Sequence, residues 1–179
     1  MGQDSLGDGD TASGGQNKQS VDGIPCAPMA TTYHIHAHLS FFVNGSRLAI
    51  PDVIGFYYPG AEFNGFTDTA RCVYYLHTHD ADGYIHMEAP SVMQFTLGQL
   101  FDIWGEPLSS TGIAGFSGSV MAYTATAPSG FRSTSGPFSQ YLGDLRSLQL
   151  TSHEEVAIEV GPTFVVPPAI PAVVFDTYY

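Results

Sequence analysis

Positive charge is what this sequence has least of. Five Lys and Arg face 17 Asp and Glu, a net charge of −12 over 179 residues. A surface of that sign repels phosphate backbones and anionic lipid, which excludes nucleic acid and acidic membranes as partners. Charged residues of both signs reach only 12%, about half the usual quarter. Long apolar runs are missing too: none approaches the roughly 18–20 residues that a spanning helix needs. Cysteine is limited to Cys26 and Cys72, with no CxxC spacing, which disfavours direct metal ligation by the thiols.

Hydrophobic residues make up 44% and aromatics 13%, enough for one domain with a sizeable core. Twenty glycines and 12 prolines favour turns and short strands over long helices. A cysteine pair in so Lys-poor a chain points to a disulfide made outside the cytosol. Closing the loop between Cys26 and Cys72 is worth roughly 4 kcal/mol in the loop-entropy model. Two reduced, buried thiols are the alternative.

Residues 1–22 are mostly Gly, Ser, Asp and Gln and read as a flexible tether. No hydrophobic leader is present, so the sequence reads as a mature exported chain, with a membrane tether expected upstream. Residues 23–161 form the expected β-rich, metal-binding domain. Residues 162–179 are interrupted by proline and read as an extended arm. That arm is the expected contact for a protein partner or a second copy in a homo-oligomer.

Tyr33 to Val43 alternates with a period of two, which predicts a strand. Asn44-Gly45 predicts a hairpin turn, with Arg47 to Ile50 returning. Residues 55–70 read as a Gly- and aromatic-rich loop. Arg71 to His79 reads as a second strand, with a turn at 80–83 and Tyr84 to Glu88 returning. Thr96 is placed to cap a helix from Leu97 to about Trp104, ended by Gly105. Short strands are expected near 120–124, 147–150 and 156–160. The expected fold is therefore mainly β, or α+β: a small antiparallel domain with one short helix.

Six of the seven histidines fall in two clusters, His34-x-His36-x-His38 and His77-x-His79 with His86. In a hairpin with a four-residue loop, His77 faces His86 and Tyr75 faces Glu88. Opposed residues share a face, about 5 Å apart at Cβ. His77, His79 and His86 then converge at a spacing suited to one ion bound at about 2.0–2.1 Å. Glu88 follows on the same face as a fourth ligand, a general base, or a partner orienting an imidazole. His34 and His38 lie about 13–14 Å apart in a regular strand, so only a pair, 34/36 or 36/38, can join; His36 with His38 is the expected pair. One site or two adjacent sites are both open. His153, in a turn, is expected to be structural.

All-imidazole ligation suits copper or zinc, ahead of iron. Met87 alternates to the opposite face, so it offers no sulfur for Cu(I). LHTHDADG fails the HxHxDH pattern of metallo-β-lactamases at Ala81, and the chain is too short for a barrel hydrolase. A cupin-like jelly roll stays a distant alternative fold. The words YHIHAHLSFFVNG (33–45), CVYYLHTHDADGYIHMEAP (72–90) and FTLGQLFDIWG (95–105) resemble a family of uncharacterised secreted or lipid-anchored bacterial and archaeal proteins. The resemblance covers the middle of the chain. It implies export and implies that these histidines act as a unit, without supplying a reaction.

Three functions are compatible with these residues. The first is an extracytoplasmic copper- or zinc-binding protein. The second is a metalloenzyme with a metal-bound water on three histidines and Glu88 as base. The third is a non-catalytic assembly module contacting partners through residues 162–179.

Overall fold

The computed structural model describes residues 18–30, 32–130 and 132–175. The fold is mainly β with one short helix. In chain order the first strands are β1 (Cys26–Ala27), β2 (Tyr33–Val43), β3 (Ser46–Leu48), β4 (Phe56–Pro59), β5 (Ala70–Tyr74), β6 (Leu76–His77) and β7 (Tyr84–Ala89). Two later strands, Ser119–Thr126 and Glu154–Gly161, complete the centre of a seven-stranded sheet. Across it run Ser139–Gln140, Ser119–Thr126, Glu154–Gly161, β2, β7 and β6, with β3 also pairing β2.

β2 alternates as its sequence predicts. Ala37, Leu39 and Phe41 are buried in the apolar core with Ile85, Met87, Val156 and Ile158. The helix α1 (Leu97–Trp104) contributes Leu97, Leu100, Phe101, Ile103 and Trp104 to the same core. The Thr96 hydroxyl accepts from the Gln99 N–H at 3.3 Å, and the Gln99 side chain accepts from the Thr96 N–H at 3.0 Å. This reciprocal cap satisfies two donors that the first turn cannot. Gly105 ends the helix in the left-handed region, φ 88°.

Several expectations need correction. The sheet is not purely antiparallel: Glu154–Gly161 runs parallel to β2, pairing Glu155 with His38. Residues 55–70 are not all loop, since Phe56–Pro59 pairs with β5. The run 71–79 is not one strand. It breaks at Tyr75, leaving β5 in a three-stranded sheet with β1 and β4 and passing β6 to the main sheet. The folded part also begins before Ile24: Asp22 and Gly23 take φ 48° and 82° in a tight turn that pairs Val21 with Ile24 and buries both. Of the expected tether, residues 1–17 lie outside the described residues.

Cys26 and Cys72 are disulfide-bonded, joining β1 to β5. The arm folds back on the chain's own sheet. Ile170 packs with Phe42, Tyr123 and Ala157, and Val173 and Phe175 pack beside Tyr84. The Val165 N–H donates to the buried Glu159 carboxylate at 2.6 Å. Of the large hydrophobic side chains in residues 162–175, Val166 and Val174 stay exposed.

Candidate metal centre

The sheet face opposite the helix carries the histidines. Register places them in rows. β2 pairs antiparallel with β7, setting His36 opposite His86 and His34 opposite Glu88. β6 flanks β7 on its other side and sets His77 opposite His86. Three imidazoles therefore stand side by side across three strands, with Glu88 in the next row. The hairpin spacing predicts the His77–His86 pair; the pairing of β2 with β7, which brings in His34 and His36, is not readable from either hairpin alone.

His79 lies just beyond β6, where Thr78 turns to the other side. The Thr78 hydroxyl accepts from the Ile54 N–H at 3.1 Å and donates to the Pro51 carbonyl at 2.9 Å. Both interactions are buried, and they clamp the His-Thr-His segment against residues 51–54. Gly55, φ 80°, lets that loop approach: a Cβ there would sit 2.5 Å from the Leu76 carbonyl and 3.0 Å from the His77 Cβ.

Two backbone carbonyls set the chemistry of the inner pair. His77 Nδ1 lies 2.9 Å from the Tyr74 carbonyl, and His79 Nδ1 lies 2.6 Å from the Thr67 carbonyl. A carbonyl only accepts, so each Nδ1 carries the proton. In the neutral ring each Nε2 then presents a lone pair, and these two nitrogens are 3.2 Å apart. Two nitrogens at about 2.0–2.1 Å from one ion at a tetrahedral angle lie about 3.3 Å apart. The spacing is that of two ligands on one ion.

Glu88 sits at the centre. Its Oε1 is 3.1 Å from His34 Nε2, 3.4 Å from His86 Nδ1 and 3.7 Å from His77 Nε2. Its buried Oε2 has no hydrogen-bond partner among the described residues. Two overlapping groups have ligand atoms close enough for an ion: His77, His79, His86 and Glu88, and His34, His36 and His86. Phe56 packs edge-on against His77 and His79, and Phe66 stacks on His79 with ring centroids 4.5 Å apart. The aromatic loop thus walls the site.

No protein-family model, curated protein or solved structure matches this chain. The reading of the site rests on its own geometry. These histidines and Glu88 can hold a metal ion.

His38 is the one candidate that stands apart, and the expected His36/His38 pair is corrected to His34/His36. Its Nδ1 is 2.5 Å from Glu155, and its Nε2 lies 3.0 Å from the Asp82 carbonyl and 3.4 Å from Arg47. Both nitrogens are engaged away from the cluster. Gly83, φ 97°, passes so near that a Cβ would stand 2.9 Å from that Nε2. His153 packs its ring on Phe175, a structural placement. Asp80 and Asp82 cap their own turn, accepting from the N–H groups of Asp82 and Tyr84. Sequence reading passes over Tyr74 and Thr67, whose carbonyls orient the ligands; a carbonyl carries no sequence signal.

Burial, reinforced by neighbouring imidazoles, pushes His36 down to about 2 and His79 down to about 3, and it lowers His86 in the same way. Burial alone would raise Glu88, but the imidazoles of His77, His86 and His34 beside it outweigh burial and hold the carboxyl well below its usual range. At neutral pH His36, His79 and His86 are thus neutral imidazoles beside a buried carboxylate, the charge state that metal binding requires.

A stability consequence follows for the metal-free chain. An unfolded His79 takes up a proton as pH falls through 6.5, whereas the folded one stays neutral to about 3. Its contribution is therefore full above pH 6.5 and is lost on acidification, by about 1 kcal/mol per pH unit in that window. Asp82, raised to about 7 by burial and by Asp80, acts with the opposite sign. His79→Gln is expected to remove the histidine term. Urea unfolding at pH 7.5, 6.5 and 5.5 in chelator checks this: the variant gains on wild type between pH 6.5 and 5.5, and parallel profiles would contradict it.

Proposed function

We propose that this chain is an extracytoplasmic metal-binding protein that takes up one copper or zinc ion on its histidine-lined sheet face. The observation that carries the reading is the pair of Nε2 atoms on His77 and His79, 3.2 Å apart, with both Nδ1 atoms committed to carbonyls. Two lone pairs facing each other at that distance repel unless a cation lies between them. The donor set is nitrogen and oxygen without sulfur, since Met87 is buried in the core on the other face and both cysteines are bonded. Such a set suits zinc or Cu(II) rather than Cu(I). The disulfide supports export, and no described helix is long and apolar enough to cross a membrane.

The test is metal analysis of tag-free protein after dialysis against Zn2+ or Cu2+. One ion per chain, surrendered to a competing chelator, is expected. No bound metal after reconstitution overturns the reading.

One observation favours a second reading, a metalloenzyme. Glu88 Oε2 is buried beside the cluster without a hydrogen-bond partner among the described residues, a position from which a carboxylate can accept a substrate's proton. Co2+-substituted protein separates the two. A visible spectrum that shifts with azide indicates an open coordination position and favours the enzyme; an unchanged spectrum favours the binding protein.

A further inference from the structure

The six ligating residues form two sets that overlap, and the overlap has a direction. His77 is fully buried, His79, His86 and His36 are each 5–6% exposed, and the side chain of His34 is 36% exposed. The sets share His86, whose ring lies 4.3 Å by centroid from His36 on one side and 4.3 Å from His79 on the other. His36 Nε2 is 3.1 Å from His86 Nδ1. Glu88 Oε1 touches members of both sets, His34 at 3.1 Å and His77 at 3.7 Å. A continuous series of donors therefore runs from solvent to the innermost histidine.

Charge decides how many ions this series holds. With neutral imidazoles the only anion in it is Glu88. One divalent cation leaves a net charge of about +1; two would leave about +3 in a buried site, which low dielectric penalises severely. One ion with two ligand sets is the economical arrangement.

We infer that His34 and His36 form an outer station on the path of a single ion into and out of an inner station made by His77, His79 and Glu88, with His86 common to both. The step is ligand exchange alone. A nitrogen of His34 or His36 leaves the ion as a nitrogen of His77 or His79 binds, while His86 stays attached, so coordination never collapses. No electron or proton need move. A path of this kind acts on rates, and removing it slows loading.

The inference rests on the proposed metal binding, and one experiment keeps the two distinguishable. Zn2+ uptake and chelator-driven release are followed by stopped flow in wild type, in His34→Ala and in His34→Ala/His36→Gln, with circular dichroism confirming the fold of each. The exposed His34 makes the single variant safe for folding. The expected result is uptake slowed about tenfold or more in the double variant, whatever affinity is also lost with the His34–Glu88 and His36–His86 contacts. Unchanged rates overturn the relay while leaving metal binding intact. Affinity weakened through faster release alone, at an unchanged rate of uptake, also overturns it, by making His34 and His36 ordinary holders of the resting ion. Wild type that takes up no zinc overturns both.

Discussion

His77→Ala is expected to abolish the stabilisation that metal confers. At a free zinc concentration about a hundredfold above its dissociation constant, wild type gains about 3 kcal/mol. For a domain of this size that is a rise in Tm of about 6–12 °C. Losing even a residue that merely orients a ligand costs roughly 10–100-fold in affinity, so losing His77 itself should exceed that. The zinc-dependent gain then shrinks to a few tenths of a kcal/mol. Two controls show that the effect belongs to the cluster. Met87→Leu lies one residue from His86 on the opposite, apolar face and should keep the full zinc response. His38→Gln disturbs the contacts with Glu155, Asp82 and Arg47, yet it too should keep the response, because neither His38 nitrogen faces the cluster. Thermal unfolding with and without zinc decides each case. A His77→Ala protein that still gains several degrees from zinc would remove the inner pair from the site.

The second large effect is expected at the disulfide. Cys26→Ser/Cys72→Ser should lower stability by roughly 4 kcal/mol, from the loop entropy of its 46-residue separation. Against a total of about 5–15 kcal/mol that is a major fraction, and Tm should fall by about 8–16 °C. The bond also bears on the site. It holds β1 against β5, and β5 ends at Tyr74, whose carbonyl fixes the His77 ring. Zinc affinity is therefore expected to drop about tenfold in the double variant although no ligand is altered, the size of effect seen for groups that orient a ligand. Calorimetry beside a zinc titration measures both. A large Tm loss with unchanged affinity would show that Tyr74 is held in place without the disulfide.

Much of this was legible in the sequence because period-two alternation and turn chemistry are local. β2, the turn at Asn44-Gly45, the capped helix and the His77–His86 register all follow from neighbours within a few residues. What was not legible is long-range or carried by the backbone. The sheet change at Tyr75 comes from Gly55 and Thr78 drawing the chain toward residues 51–54, which no strand pattern reveals. The choice of His34 rather than His38 is made by Glu155, more than a hundred residues further on and brought alongside by a parallel pairing. Phe56–Pro59 reads as loop because the stretch 55–70 is rich in glycine and aromatics, while its strand character comes from pairing with β5.

That parallel pairing also orders assembly in time. The residues that can hold the ion all lie between His34 and Glu88, on strands that pair within that stretch. The central partner of β2, Glu154–Gly161, arrives from more than a hundred residues downstream. Joining distant segments is the slow part of folding, since the entropy of closing the loop is spent before any contact repays it. The binding half of the molecule is thus complete as a segment before the sheet is. A metal ion present while the chain folds can staple β2, β6 and β7 together early, acting as a template for the fold.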